Sequence, residues 1–171
     1  IKAIFVNPVD RDGITPALDA LAEAGIPMFG FDTEVTDMDK LVTYAGSDNY
    51  NAGYVCGVDL VAKCPDGGPI IVLDSPTMQS VVDRTNGFLD AIKDHGFEVV
   101  AQIDCMGNQE QGNLNGTDAL TAHPDAVAIF GGNDPTALGA AAAAEAAQSS
   151  ALIYGVDGSP DIKALIAEGK V

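Results

Sequence analysis

Short runs of β-branched and aromatic residues alternate along the chain with stretches in which apolar residues return every three or four positions. Ile4-Phe5-Val6 is the first run, and the polar loop 7–13 follows it. Ile14, Leu18, Leu21 and Ala22 then share one face of a helix that tolerates Pro16 in its first turn and stops at Gly25. Residues 27–31 read as the next strand and 41–45 as a further extended piece. Beyond Ser47 the pattern predicts helices over 50–63, 78–94, 111–122, 136–147 and 160–168. Between them it predicts strands over 70–73, 99–103, 126–130 and 152–156. Strands alternating with helices of this length imply βαβ units with right-handed crossovers, hence an α/β fold of parallel sheets with helices on both faces.

Residues 1–47 hold only two such units, too few to cover a parallel sheet on both sides. The last helical pattern runs to Val171 without a stop signal. The expectation is an internal piece of a two-lobed protein. Residues 1–47 would be the second part of an N-terminal lobe, Ser47 and Asp48 the crossing, and 48–171 a C-terminal ligand-binding lobe missing its end.

A polar residue follows each strand: Asn7, Asp32, Asp74, Asp104, Asn133 and Asp157. Open α/β sheets bind ligands just outside the carboxyl ends of their strands, so these six form a rim where a ligand belongs. Carboxylates and carboxamides there suit the hydroxyls of a neutral polyol. A phosphate would call instead for Gly-rich backbone or cations, and Arg84 is the one cation placed to reach the cleft. Asp74 and Asp104 are assigned to capping or solvated loops, and Asp10 and Asp12 to capping the helix at Ile14.

Charge narrows the function. The 171 residues carry 25 Asp and Glu against 8 Lys and Arg, a formal −17. Nucleic-acid binding draws on cations that neutralise phosphates, so this surface repels DNA, and anionic membranes likewise. No apolar stretch approaches the roughly 20 residues that span a bilayer. An exported protein of this kind would carry its leader upstream of Ile1. Cys56 and Cys64 share one predicted helix about 12 Å apart, beyond the roughly 7 Å between Cα atoms that a disulfide allows. All three cysteines are read as free thiols, with Cys56 buried, and no metal or cofactor site is expected.

Enzyme chemistry finds little support. His95 is assigned to a helix end and His123 to a loop at the far end of the sheet, so neither meets the rim. No P-loop or dinucleotide fingerprint is present. Asp32-Thr33-Glu34-Val35-Thr36 approaches the haloacid-dehalogenase pattern, but Glu34 stands where that pattern has its second Asp.

Seven ordered segments carry a resemblance: Asn7-Pro8-Val9-Asp10, Phe31-Asp32, Ala45-Gly46-Ser47-Asp48-Asn49, Arg84-Thr85-Asn86-Gly87-Phe88, Thr121-Ala122-His123-Pro124-Asp125, Asn133-Asp134 with Ala137-Leu138-Gly139, and Gly155-Val156-Asp157-Gly158-Ser159-Pro160-Asp161. Together they resemble the ribose-binding family of periplasmic sugar receptors, whose ligand domain is shared with LacI-type repressors. The resemblance implies a two-lobed, monomeric, extracytoplasmic clamp, periplasmic or lipid-anchored at the cell surface. It would close on a sugar and dock on the permease of an ABC transporter, without catalysis. Mapped by motif, Asn7 and Asp32 would bind hydroxyls from the first lobe, and Arg84, Asn133 and Asp157 from the second, with Ser47 and Asp48 at the hinge. Two departures stand against ribose itself. Thr33 occupies the place of an Arg, and the family's aromatics are missing around 105–107 and directly before Asp157. The alternative is the effector domain of a LacI-type regulator, which the acidity disfavours.

Overall fold

In the computed structural model, which describes residues 1–171, the elements follow the expected alternation. They are β1 (Ile4–Val6), α1 (Thr15–Glu23), β2 (Met28–Phe31), β3 (Thr43–Ala45), α2 (Asn49–Lys63), β4 (Gly68–Asp74), α3 (Gln79–Ile92), β5 (Phe97–Asp104), α4 (Gln109–Ala122), β6 (Ala128–Gly131), α5 (Asp134–Ala147), β7 (Leu152–Tyr154) and α6 (Pro160–Ala167). A 3-10 turn at Met38–Lys40 precedes β3. All pairings are parallel, and the strands form two separate sheets, β1-β2-β3 and β5-β4-β6-β7.

In the second sheet, β4 is an interior strand, and its run Ile70-Ile71-Val72-Leu73 is fully buried on both faces. Ile70 and Val72 pack with Leu60 of α2, Phe88 and Ile92 of α3 and Phe130 of β6. Ile71 and Leu73 pack on the other face with Leu120 of α4, the alanines of α5, Ile129 and Ile153. The period of two along the strand thus divides one sequence run between two helix layers.

Glycines set how closely those layers pack. A Cβ on Gly53 of α2 would lie 1.7 Å from the Arg84 carbonyl, and one on Gly87 of α3 1.9 Å from the Tyr50 carbonyl. The two helices therefore touch backbone to backbone, which fixes where the chain at Arg84 sits relative to the start of α2. The connection from β4 runs first to β5 on one side and then to β6 on the other. That reversal opens a crevice beyond the carboxyl ends of β4 and β6.

The first sheet has a small core of Val6, Leu18, Met28 and Val35. Phe5 lies on its opposite side against Phe29, ring centroids 5.6 Å apart, and remains 73% exposed.

Several local expectations are corrected. Cys56 is only half-buried, its thiol pushed up to about 11 by partial burial, and Cys105 is the buried cysteine. The helix ending near 94 stops at Ile92 with Lys93 as its cap, so His95 sits in the following turn, donating its N–H to the Ile92 carbonyl. Ile14, not an aspartate, precedes α1. The Asp10 carboxylate instead accepts from the N–H groups of Asp12 and Gly13, and Asp12 accepts from the Thr36 hydroxyl.

Candidate functional site

Arg84 anchors the crevice. It lies on α3, where the helical turn and the Gly53 contact carry it beneath the ends of β4 and β6, and it is 6% exposed. Its Nε donates to Asn49 Oδ1 at 2.9 Å and its Nη1 to the Gly132 carbonyl at 3.1 Å. Its Nη2 pairs with Asp157 Oδ1 at 3.0 Å. Desolvating a guanidinium costs several kcal/mol per ion unless partners replace water, and this one has three.

Asp157 is held in the loop between β7 and α6 with φ +128°, a conformation L residues adopt only under constraint. The constraint comes from the next turn, where the Ser159 N–H donates to the buried Asp134 carboxylate at 2.5 Å. Burial raises the Asp157 carboxyl above its ordinary 3.8. Arg84 and a backbone hydrogen bond from Asp134 oppose that rise, while the charges of Asp134 and Asp32 add to it. The charge on Asp32 is thus felt at Asp157, from the other sheet.

Asp32 sits in the left-handed region, φ +65°, after β2. Its N–H donates to the Ala45 carbonyl, its own carbonyl accepts from the Tyr44 hydroxyl at 2.6 Å, and its carboxylate accepts from Asn7 Nδ2 at 3.0 Å. Asn7 and Asp32 are exposed. Asn133 is buried and doubly engaged. Its Oδ1 caps α5 through the Thr136 N–H, and its Nδ2 donates to the Gly107 carbonyl at 3.1 Å.

The remaining rim residues have structural work. Asp74 is neither a cap nor solvated. It is buried, accepting from the Ser75 N–H, the Thr85 hydroxyl and Gln102 Nε2. Asp104 closes its loop by accepting from the Met106 N–H. Ser47 is exposed, and Asp48 caps α2 through the Asn51 N–H at 2.9 Å.

The two halves of the chain touch beside the site. Thr33 and Ser80, both buried, share a hydrogen bond of 3.0 Å between their hydroxyls. Nearby, the Arg11 N–H donates to the Thr77 carbonyl. Thr33 therefore reaches across to α3. Asn49, Asp134 and Ser80 were not singled out from sequence. Asn49 and Asp134 lie inside the segments that carry the family resemblance, but only the fold reveals that they hold Arg84 and the Asp157 loop.

A cavity of about 770 Å³ lies elsewhere, along the free edge of β7 among Asp59, Lys63, Tyr154, Glu145, Ile166 and Lys170. It contains no rim residue, and an unpaired strand edge accounts for it. The rim group is the better candidate, because its polar atoms converge from different elements.

The family model described as "periplasmic binding protein domain" matches residues 1–171. The ribose import binding protein RbsB of Escherichia coli K12 is 32% identical over 99% of this chain, which spans 58% of that protein's length. The D-apiose import binding protein of Actinobacillus succinogenes is 30% identical over 98% of this chain and 55% of its own. Among solved structures, an ABC transporter solute binding protein from Agrobacterium vitis with bound D-fucose superposes with a TM-score of 0.93 at 27% identity, covering all of this chain and 61% of its own. One from Actinobacillus succinogenes with bound D-allose gives a TM-score of 0.86 at 30% identity, covering all of this chain and 63% of that one.

Proposed function

Since the chain belongs to the periplasmic binding protein domain family, we propose that it is the core of an extracytoplasmic receptor that binds a neutral monosaccharide or polyol between its two sheets. The receptor works as a monomer and delivers its ligand to an ABC transporter permease. Residues 1–47 belong to one lobe, 48–171 to the other, and the segment at Ser47 and Asp48 is a hinge. The exposed Phe5, packed against a half-buried Phe29, fits this division, since the first sheet offers one apolar side that further chain would cover.

The observation that carries the reading is two pairs, Arg84–Asp157 in one half and Asn7–Asp32 in the other, with the Asp32 charge helping to raise the Asp157 carboxyl. Each pair offers donors and acceptors together, as a vicinal diol requires. Two carboxylates to one guanidinium leave the site net negative, which repels acid and phosphate sugars. Asn133 contributes its remaining amide hydrogen.

A thermal-shift panel of pentoses, hexoses, deoxy sugars and polyols on the full-length protein tests this. A ligand at 100 times its Kd stabilises by about 2.7 kcal/mol, a rise of roughly 5–10 °C for a domain of this size. Such a rise with one neutral sugar, and none with its phosphate, is expected. Uniform silence across the panel would contradict the assignment.

Closure brings Thr33 onto Ser80. Thr33→Val leaves the Ser80 hydroxyl without that partner in the closed form, an expected loss of about 1 kcal/mol, roughly fivefold in affinity by titration calorimetry. An unchanged affinity would remove this contact from the closing step.

Acid should weaken binding early. A carboxyl raised in the folded state favours its protonated form there. As pH falls from the raised value through 3.8, Asp157 therefore stabilises the ligand-free fold and loses its charge for Arg84 and the sugar. On acidification, affinity is expected to begin falling while the pH is still above 3.8, and Asp157→Asn to flatten that dependence. A pH profile identical in parent and variant would place the titration elsewhere.

A further inference from the structure

We infer that Asn49 is a positioning residue for Arg84 and so ties the start of α2, next to the crossing between the sheets, to the ligand site. The inference rests on the reading of Arg84 as a ligand-binding group.

Asn49 is 7% exposed, immediately after the Asp48 cap. Its partner, Arg84 Nε, can only donate, so the carboxamide oxygen must face the guanidinium and the amide NH2 must point the other way. The three contacts of Arg84 come from three segments: Asn49 at the start of α2, Gly132 after β6 and Asp157 after β7. Gly132 and Asp157 both take Nη atoms, at the outer end of the plane. Asn49 alone holds Nε, and so fixes rotation of the plane about the side-chain stem. Without it, the guanidinium can turn while keeping one Nη contact, and the two Nη hydrogens left for a diol lose their direction. The Gly53 contact sets the backbone distance over which Asn49 reaches.

The test uses the full-length protein and reads Arg84 directly. In 15N-1H spectra of the ligand-free protein, the Arg84 Nε–H signal should be protected from solvent exchange, at least about tenfold more than in Asn49→Ala. Asn49→Asp, which keeps an acceptor, should retain it. Affinity is measured with whichever of D-ribose, D-apiose, D-allose and D-fucose gives the largest thermal shift. It should fall about tenfold in Asn49→Ala and no more than about threefold in Asn49→Asp. Should Asn49→Ala fail to fold, Asn49→Thr, too short to reach Nε, carries the same expectations. Equal protection of Nε–H in parent and Asn49→Ala, or equal loss in the alanine and aspartate variants, would overturn the inference. Sugar binding that survives Arg84→Met would overturn the site reading instead, leaving the Nε–H result to stand alone.

Discussion

Arg84→Met is expected to abolish sugar binding while leaving a folded but weakened protein. Hydrogen bonds to charged groups are worth about 1.5–3 kcal/mol each, so loss of the two directed Nη donors predicts a drop in affinity of roughly a hundredfold or more. Stability should also fall, because the Asn49 oxygen and the Gly132 carbonyl lose a donor and Asp157 loses its counter-ion. Breaking a fully buried pair costs about 3–5 kcal/mol. Here the Asp157 side chain is 44% exposed and can turn to water, which brings the expectation down to about 2 kcal/mol. Methionine keeps the volume of the stem, so the loss should come from polar contacts rather than a cavity. Urea denaturation and calorimetry separate the two effects. A variant that loses stability yet binds sugar normally would make Arg84 a structural residue only.

Gly53→Val should be the most damaging single change away from the rim. Its first added carbon would lie 1.7 Å from the Arg84 carbonyl, a backbone atom that no rotamer change can move. The clash can be relieved only by separating α2 from α3. Separation loosens Leu60 and Phe88, both fully buried, against the sheet. Overpacking of this kind costs about 3 kcal/mol or more. The same movement shifts Asn49 from Arg84, so surviving protein should bind sugar poorly as well. A lowered urea midpoint with an unchanged slope checks the first part. A midpoint equal to that of the parent would mean that the helices pack less closely than described.

The order of elements was legible because the chain repeats one pattern, and an interior parallel strand such as Ile70-Ile71-Val72-Leu73 reads as a continuous apolar run. The division into two sheets showed as the thin first portion before Ser47. The positions of the rim residues were legible for a related reason: strand ends are recognisable, and open α/β sheets bind ligands beyond them. What was hidden is how each polar residue is spent. Asp74 and Asp157 look alike in sequence, each a carboxylate after a strand. Yet Asp74 is consumed by Ser75, Thr85 and Gln102, while Asp157 faces Arg84. Asn49 carries no mark of its own in the sequence, because its contact is 35 residues away. Thr33 is marked in sequence by its departure from a family pattern, and its partner Ser80 lies 47 residues away. Long-range partners are set by topology, and local pattern carries no record of them.

A crystal structure of the full-length protein with the sugar that most raises its melting temperature tests the central claim most directly. The account predicts density for the sugar between the two sheets, with its hydroxyls within hydrogen-bond distance of Asp32, Arg84 and Asp157 together. A sugar seated along the free edge of β7, or touching only one half of the chain, would contradict it.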